Sequence, residues 1–303
     1  MRLNICVKMF GLWLNGCYIY EVRKLRKTIK KQKIKVMKNQ VKRGRPSKRQ
    51  IVGNGIEVKR WKPELVKMDN LTFDKNLFVP MPTGKKVDAL LSSEGGLMKG
   101  TNFAFVGDPG VGKSTVMLDI LSDLQNKGQK CLFISGEMTS IDMYGYVKRY
   151  PKFGQLDILF MGDYIEKDPM IVLTSVLAQG FDVVLIDSMA EVCTNIVDYH
   201  GGTFKNAESK VLNLLEKHNK AENLSKLNTT FLIIQQVTKS GEFAGSNRFK
   251  HMLTGMGHLK FTEGSRCLFF SKNRRGGRMD KLHFSLDQKD HVGWLFTEPM
   301  NGE

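Results

Sequence analysis

The apolar run Phe103-Ala104-Phe105-Val106 leads directly into Gly107-Asp108-Pro109-Gly110-Val111-Gly112-Lys113-Ser114-Thr115, and a helical period follows from about Lys113 to Lys127 until Gly128 ends it. The nine residues match the full G-x-x-x-x-G-K-[ST] pattern in the strand, loop and helix context that its mechanism requires. Glycines let backbone N–H groups turn inward as an anion nest at the positive end of a helix. Lys113 adds a mobile positive charge for β- and γ-phosphates, and the Ser114 hydroxyl suits Mg²⁺. A chance glycine turn would not satisfy eight constrained positions together with the flanking strand and helix. The motif therefore restricts the chain to folds that end a buried parallel strand at a helix N-terminus.

The rest of the pattern agrees. Apolar runs at Cys131–Ile134, Leu156–Phe160, Val183–Ile186 and Thr230–Ile234 alternate with helical periods, one with Asp168 as N-cap and Pro169 in its first turn, another near Ala207–Ala221. Later runs at Cys267–Phe270 and Lys281–Leu286 have strand character, the second alternating with period two. This predicts an α/β fold, a mostly parallel twisted sheet with helices on both faces and an antiparallel C-terminal edge. Sites in such sheets gather beyond the carboxyl ends of the strands. Two carboxylates fall there. Asp187 ends an apolar strand and suits a water-mediated Mg²⁺ contact. Glu137, after Ser135-Gly136, could orient or deprotonate an attacking water, or could simply favour a helix start.

Charge is concentrated at one end. Of 47 Lys+Arg and 30 Asp+Glu, residues 1–62 hold 19 basic groups and only Glu21 and Glu57, leaving 28 of each sign in residues 63–303. The expected organisation is a basic tail over residues 1–62, a lead-in over 63–100 and an ATPase domain over 101–303. A start at Met37 would make residues 1–36 upstream sequence read in frame. Residues 3–20 are apolar but interrupted by Lys8, Asn15 and Gly16, too short for a membrane span and wrongly flanked for a signal peptide. Lys42-Arg43-Gly44-Arg45-Pro46-Ser47-Lys48-Arg49 resembles the AT-hook, an extended element that enters the minor groove of A·T-rich DNA. A solvated tail that touches any polyanion is the blander reading of Arg43, Arg45, Lys48 and Arg49. The five cysteines lack metal-ligand or disulfide spacing, which fits a reducing compartment, the cytoplasm.

With these residues in view, the chain resembles the RecA-like ATPases, and within them the core of the RadA (Sms) family, relatives of the DnaB helicases, over about Thr83 to Leu295. The resemblance is carried by Thr83-Gly84 with Asp88 and Leu91 before Gly95-Gly96-Leu97, by the phosphate loop, and by Ser135-Gly136-Glu137-Met138 and Ile186-Asp187-Ser188. The most specific parts are Val237-Thr238-Lys239-Ser240-Gly241-Glu242-Phe243-Ala244-Gly245 and Lys272-Asn273-Arg274-Arg275-Gly276, the latter with Arg275 where the family has Phe.

The resemblance implies that Glu137 is the catalytic glutamate and that Gln236 senses the γ-phosphate and signals to a DNA-binding loop. It implies that Lys272 and Arg274 reach a neighbouring subunit's γ-phosphate like arginine fingers; without it, Lys272–Arg278 reads as a solvated hairpin tip. It further implies ATP and Mg²⁺ as ligands, a homo-oligomer (a ring, expected as a hexamer, or a filament), and single-stranded DNA as substrate. Lys239, Arg248 and Lys250 then fall on a channel-facing DNA loop, and Val192–Asn206, with His200, on a second. The expected function is an ATP-dependent motor on single-stranded DNA in recombination, repair or replication. An ATP-gated clamp or loader, or a regulatory ATPase of KaiC type, are the alternatives. The family's zinc finger and Lon-like domain have no counterpart in these residues, and nothing in them supports peptidase activity.

Overall fold

The computed structural model describes residues 65–72, 74–236 and 245–299. The chain divides at Val66–Lys67 into two units, and every element below belongs to the second. Arg43, Arg45, Lys48, Arg49 and Lys239 lie outside the described residues, as do the whole of the expected tail and the Val237–Ala244 part of the channel loop.

A short helix, α1 (Asp88–Leu91), precedes the sheet. The sheet elements follow as β1 (Asn102–Gly107), α2 (Lys113–Asn126), β2 (Cys131–Ser135), α3 (Ser140–Arg149), β3 (Asp157–Phe160), α4 (Pro169–Leu177), β4 (Val183–Asp187), α5 (Met189–His200), α6 (Phe204–Asn219), β5 (Thr230–Ile234), α7 (Asn247–Met252), β6 (Gly255–Thr262), β7 (Ser265–Asn273), β8 (Lys281–Ser285) and β9 (Gly293–Glu298). The nine strands form one sheet in the order β3-β2-β4-β5-β1-β6-β7-β8-β9. Strands β3 through β6 pair in parallel, and β7, β8 and β9 extend the sheet antiparallel. This is the expected RecA-like α/β architecture.

Because β1, β2, β4 and β5 are buried along their whole length, they read as continuous apolar runs rather than alternations. Their side chains feed two cores. Phe103, Phe105, Phe133 and Leu185 pack with α2 and with Leu259, Leu268, Phe270, Leu282 and Phe284 of the antiparallel strands. Ala104, Ile134, Ile186 and Phe231 pack on the other face with α4, α5, α6 and α7.

The lead-in is tied down by Asp88. Its Oδ1 accepts from Thr83 N (2.9 Å) and Thr83 Oγ1 (2.8 Å), and its Oδ2 from Gly84 N (2.8 Å). Asn273 Nδ2 donates to Leu90 O at 2.7 Å, Arg278 N to Ala89 O at 2.8 Å, and Ser93 N to Arg275 O at 2.9 Å, so α1 forms the bed of the turn after β7. The Arg275 side chain is exposed. The site where the family has Phe therefore contributes its backbone carbonyl here, while Asn273 and Gly277 make the close contacts.

Three expectations are corrected. Val192–Asn206 is not a loop: Met189, Val192, Cys193 and Ile196 form a buried stripe at helical spacing, which makes α5, and only residues 201–203 separate it from α6. His200 is the last residue of α5 and sits 2.9 Å from Asp168 Oδ1 at the start of α4. Arg248 and Lys250 stand on helix α7 rather than on a loop, since Ser246 caps Phe249 N and Phe249 is buried in the core.

A Cβ at Gly277 would lie 2.0 Å from Leu90 O and 2.6 Å from Asn273 Nδ2. Gly277→Ala should therefore force backbone to shift and destabilise the chain by about 1–3 kcal/mol, visible as a lower urea midpoint with an unchanged slope.

Candidate nucleotide site

The parallel register brings four strand ends to one edge of the sheet: Ser135 lies opposite Asp187, Asp187 opposite Ile234, and Ile234 opposite Phe105. The phosphate loop, Glu137, Asp187 and Gln236 all follow from those ends. Residues more than a hundred positions apart are thus placed together by strand pairing alone.

Within the loop, Gly110 and Gly112 have φ of +78° and +101°, in the region that favours glycine. A Cβ on Gly112 would also meet Leu286 Cδ1 at 2.6 Å. Asp108 and Pro109 are exposed at the crest, while Val111 and Thr115 are buried and anchor its base. Lys113 Nζ donates to Gly107 O at 2.7 Å and Asp108 O at 3.0 Å, folded back over the loop. Burial lowers its pKa, against the raising effect of Asp187, Glu137 and Asp108.

Ser114 Oγ donates to Asp187 Oδ2 at 2.5 Å. Asp187 is 4% exposed, and burial pushes its carboxyl up to about 6, with the neighbouring Glu137 adding to the rise and Ser114 and Lys113 opposing it. A desolvated carboxylate sharing a hydroxyl with the phosphate loop gains from a cation, so this pair fits Mg²⁺. Among the described residues, no group of three or more His, Cys, Asp and Glu stands together as a metal cluster.

Glu137 is exposed, and the geometry separates its two readings. Helix α3 begins three residues later, with Thr139 as N-cap in a reciprocal capping box with Asp142. The helix start is satisfied without Glu137. Its Oε1 instead accepts from Gln236 Nε2 at 3.0 Å. Residue 236 is the last described residue before the segment leading to α7, and Ser246, at the far end of that segment, donates its N–H to Glu208 Oε2 at 3.2 Å.

Lys272 and Arg274 lie at the opposite end of the sheet. Asn273 pairs with Gly255, and Gly255 with Phe103, which puts the turn four residues of β1, about 13 Å, below the start of the phosphate loop. The side chain of Lys272 donates to Lys250 O at 2.7 Å, and burial and Arg274 lower its pKa. Arg274 is exposed, with its backbone N–H held by Thr254 O at 2.9 Å. The sequence-derived site thus falls into two groups: the loop, Glu137, Asp187 and Gln236 together, and the Lys272–Arg274 pair remote from them.

Sequence reasoning missed the wall beside the loop. A cleft of about 930 Å³ opens next to Gly112–Thr115, lined by Tyr146, Arg149, Arg266 and the segment 286–290. Tyr150 Oη donates to Leu286 O (3.2 Å), and buried Asp119 accepts Val292 N (2.9 Å) and pairs with Lys152 (2.7 Å), which fixes this wall on α2. The wall is assembled from three distant segments with no shared motif. Only the helical spacing of Tyr146, Arg149 and Tyr150 hinted at it.

Fold and loop together define a RecA-like P-loop core. Its sequence relatives are proteins called DNA repair protein RadA: that of Campylobacter jejuni is 28% identical over 201 residues, 64% of this chain and 42% of the relative. The Mycobacterium tuberculosis protein is 26% identical over 247 residues, 74% of this chain and 49% of the relative. The chain thus spans less than half the length of these relatives. Two solved structures share the fold. The KaiC-like protein of Pyrococcus horikoshii has a TM-score of 0.52 at 16% identity, covering 72% of this chain and 99% of that one. The flagellar accessory protein FlaH of Methanocaldococcus jannaschii has a TM-score of 0.55 at 13% identity, covering 72% and 100%. No protein-family model matches the chain.

Asp187 also generates a pH dependence. Its folded pKa of about 6 lies above the ordinary value of 3.8, so between pH about 4 and 6 the folded state holds a proton that the unfolded chain has released. Stability falls as pH rises through that window and is flat above it. Asp187→Asn, which keeps an acceptor for Ser114, should remove the slope and raise stability at pH 7 by up to about 3 kcal/mol in denaturant titrations.

Proposed function

We propose that this chain is an ATP-driven motor of RadA type that binds ATP·Mg²⁺, hydrolyses it between adjacent copies of a ring or filament, and moves on or remodels single-stranded DNA in recombination, repair or replication. The observation that carries the reading is the 3.0 Å hydrogen bond from Gln236 to Glu137. It links the carboxylate beside the phosphate loop to the segment leading to α7, with Arg248 and Lys250. The name of the RadA relatives supports the DNA repair context. No described helix is long and apolar enough to cross a membrane.

In this reading the free N–H groups of the Gly107–Thr115 loop, Pro109 having none, and the Lys113 ammonium hold the β- and γ-phosphates. Ser114 and Asp187 hold the cation, which when bound supplies neutralising charge to the phosphate oxygens. Glu137 orients the attacking water, and the Gln236 amide fixes the rotamer of that carboxylate. Charge on the γ-phosphate is offset in trans, a role supported by the position of the turn about 13 Å down the sheet from its own loop. Arg274 is free to do so, whereas Lys272 must first leave the Lys250 carbonyl. Lys239, Arg248 and Lys250 supply phosphate contacts to the DNA, and the Arg43, Arg45, Lys48 and Arg49 cluster adds affinity.

Steady-state ATP hydrolysis with no DNA, single-stranded DNA and duplex tests the reading. Single-stranded DNA should stimulate turnover; DNA-independent hydrolysis would favour a KaiC-type regulatory role, and tight ATP-dependent binding without strand displacement would favour a clamp. Lys113→Ala should abolish turnover. Glu137→Gln should keep nucleotide binding while lowering kcat at least about 100-fold. Mixing Arg274→Ala with Lys113→Ala protein should restore part of the activity, and no recovery would place Arg274 in a structural role.

A further inference from the structure

Among the described residues, no helix covers one face of β6–β9 beyond its first residues, although Cys267 and His283 on that face are themselves buried. Their inner face belongs to the core through Leu259, Leu268, Phe270, Leu282 and Phe284. On the other face the helical layer of α4–α7 stops at the first turn of β6, where Met256 is the one residue of these four strands packed into it among the described residues. Beyond Met256 the outward positions are set by period-two alternation and by the pairing of His258 with Phe269 and Cys267 with His283.

Those positions have an unusual composition. His258 and Phe269 lie ring against ring across β6 and β7, with centroids 5.2 Å apart and planes 13° apart. His283 and Phe296 do the same across β8 and β9, at 4.4 Å and 15°. Both histidines are fixed: His258 Nε2 lies 2.7 Å from Ser271 Oγ, and His283 lies 2.8 Å from Ser265 Oγ and 3.0 Å from Glu298 Oε2. Lys260 Nζ stands 5.6 Å from the Phe269 centroid, and Lys281 leaves the same face beside His283. Glu298, the acid of this face, is engaged by His283. Phe296 is 57% exposed. The remaining outward residues of β6–β8 past Met256 are hydroxyls and Cys267, with no aliphatic side chain.

We propose that this open face of β6–β9 binds single-stranded DNA, with bases stacking on the Phe269 and Phe296 ring pairs and phosphates held by Lys260 and Lys281. Flat rings at fixed orientation accept any base on a π-face, and lysines beside them meet the backbone. The ring pairs are offset by two residues along the strands, about 7 Å, and by two strand spacings across the sheet, about 10 Å, which gives each its own base. A second copy of the chain would look instead for aliphatic surface, and the outward side of β6–β8 past Met256 offers none. None of these residues is Arg248 or Lys250 of α7, so the surface adds a second contact for the strand rather than re-describing the first.

The test is fluorescence anisotropy of the full chain with a labelled 15-mer of thymidine, repeated over a salt series. Phe296→Ala and Phe296→Leu should each weaken binding at least about fivefold, the factor for losing one stacked base, while Phe296→Trp should retain it. Lys260→Ala with Lys281→Ala should reduce the log–log salt slope by about 1.4, the value for two phosphate contacts on a single strand. An oligomer with abasic sites should bind the wild type more weakly than its intact counterpart, and Phe296→Ala should shrink that difference. Equal affinity of Phe296→Ala, Phe296→Leu and the wild type overturns the proposal, as does an unchanged salt slope. A changed sedimentation coefficient at unchanged DNA affinity would overturn it too, and would make the face a contact between copies. Failure of the wild type to bind any single strand removes both this proposal and the motor reading; binding that ignores Phe296 removes this one alone.

Discussion

The register of the central strands is the constraint from which the chemistry follows. Pairing Ser135 with Asp187 and Asp187 with Ile234 ends three apolar strands at one level, and β1 delivers the phosphate loop to the same edge. A slip of one residue in any of these pairings would turn its buried side chains to the opposite face and carry Glu137 or Asp187 away from Lys113. The two apolar cores hold that register, with Phe103, Phe105, Phe133 and Leu185 on one face and Ala104, Ile134, Ile186 and Phe231 on the other. The cost of keeping Asp187 in a desolvated place is thereby met by packing elsewhere in the sheet.

Much of this was legible before any coordinates. Fully buried parallel strands write themselves as unbroken apolar runs, and for that reason β1, β2, β4 and β5 could be read to within a residue or two. The phosphate loop was legible because its glycines answer backbone demands, seen in the positive φ of Gly110 and Gly112. Helix α5 was not: its polar positions and the Gly201-Gly202 pair at its end carry loop signals that mask the buried stripe of Met189, Val192, Cys193 and Ile196. Strand β6 was hidden by Gly255 and Gly257, which are small because the Phe103 and Phe105 rings occupy the space where their Cβ atoms would be. Local propensity reads such residues as turn formers, and only the neighbouring strand explains them.

The site was legible in part. Spacing placed Glu137 and Asp187 at strand ends but could not choose between a helix-start role and a catalytic one for Glu137; the Thr139–Asp142 capping box shows that the helix start is capped without it, and its carboxylate accepts from Gln236 instead. The cleft wall of Tyr146, Arg149, Arg266 and residues 286–290 had no sequence signal because it forms only when the antiparallel extension folds back over α2, held by Asp119 and Tyr150. The antiparallel half of the sheet, which looks peripheral to a phosphate-loop fold, thus closes one side of the nucleotide cleft and carries the Lys272–Arg274 turn at its other end.

That separation has a kinetic consequence. The phosphate loop and the Lys272–Arg274 turn lie at opposite ends of one sheet, so within a single copy they do not meet. If the turn completes a neighbour's site, nucleotide occupancy and turnover become different functions of protein concentration. Occupancy needs one copy and saturates with nucleotide alone, while specific activity rises with the fraction of copies in contact and declines on dilution. Idle hydrolysis by unassembled chains would then be suppressed by sheet topology, with no inhibitory segment needed to restrain it.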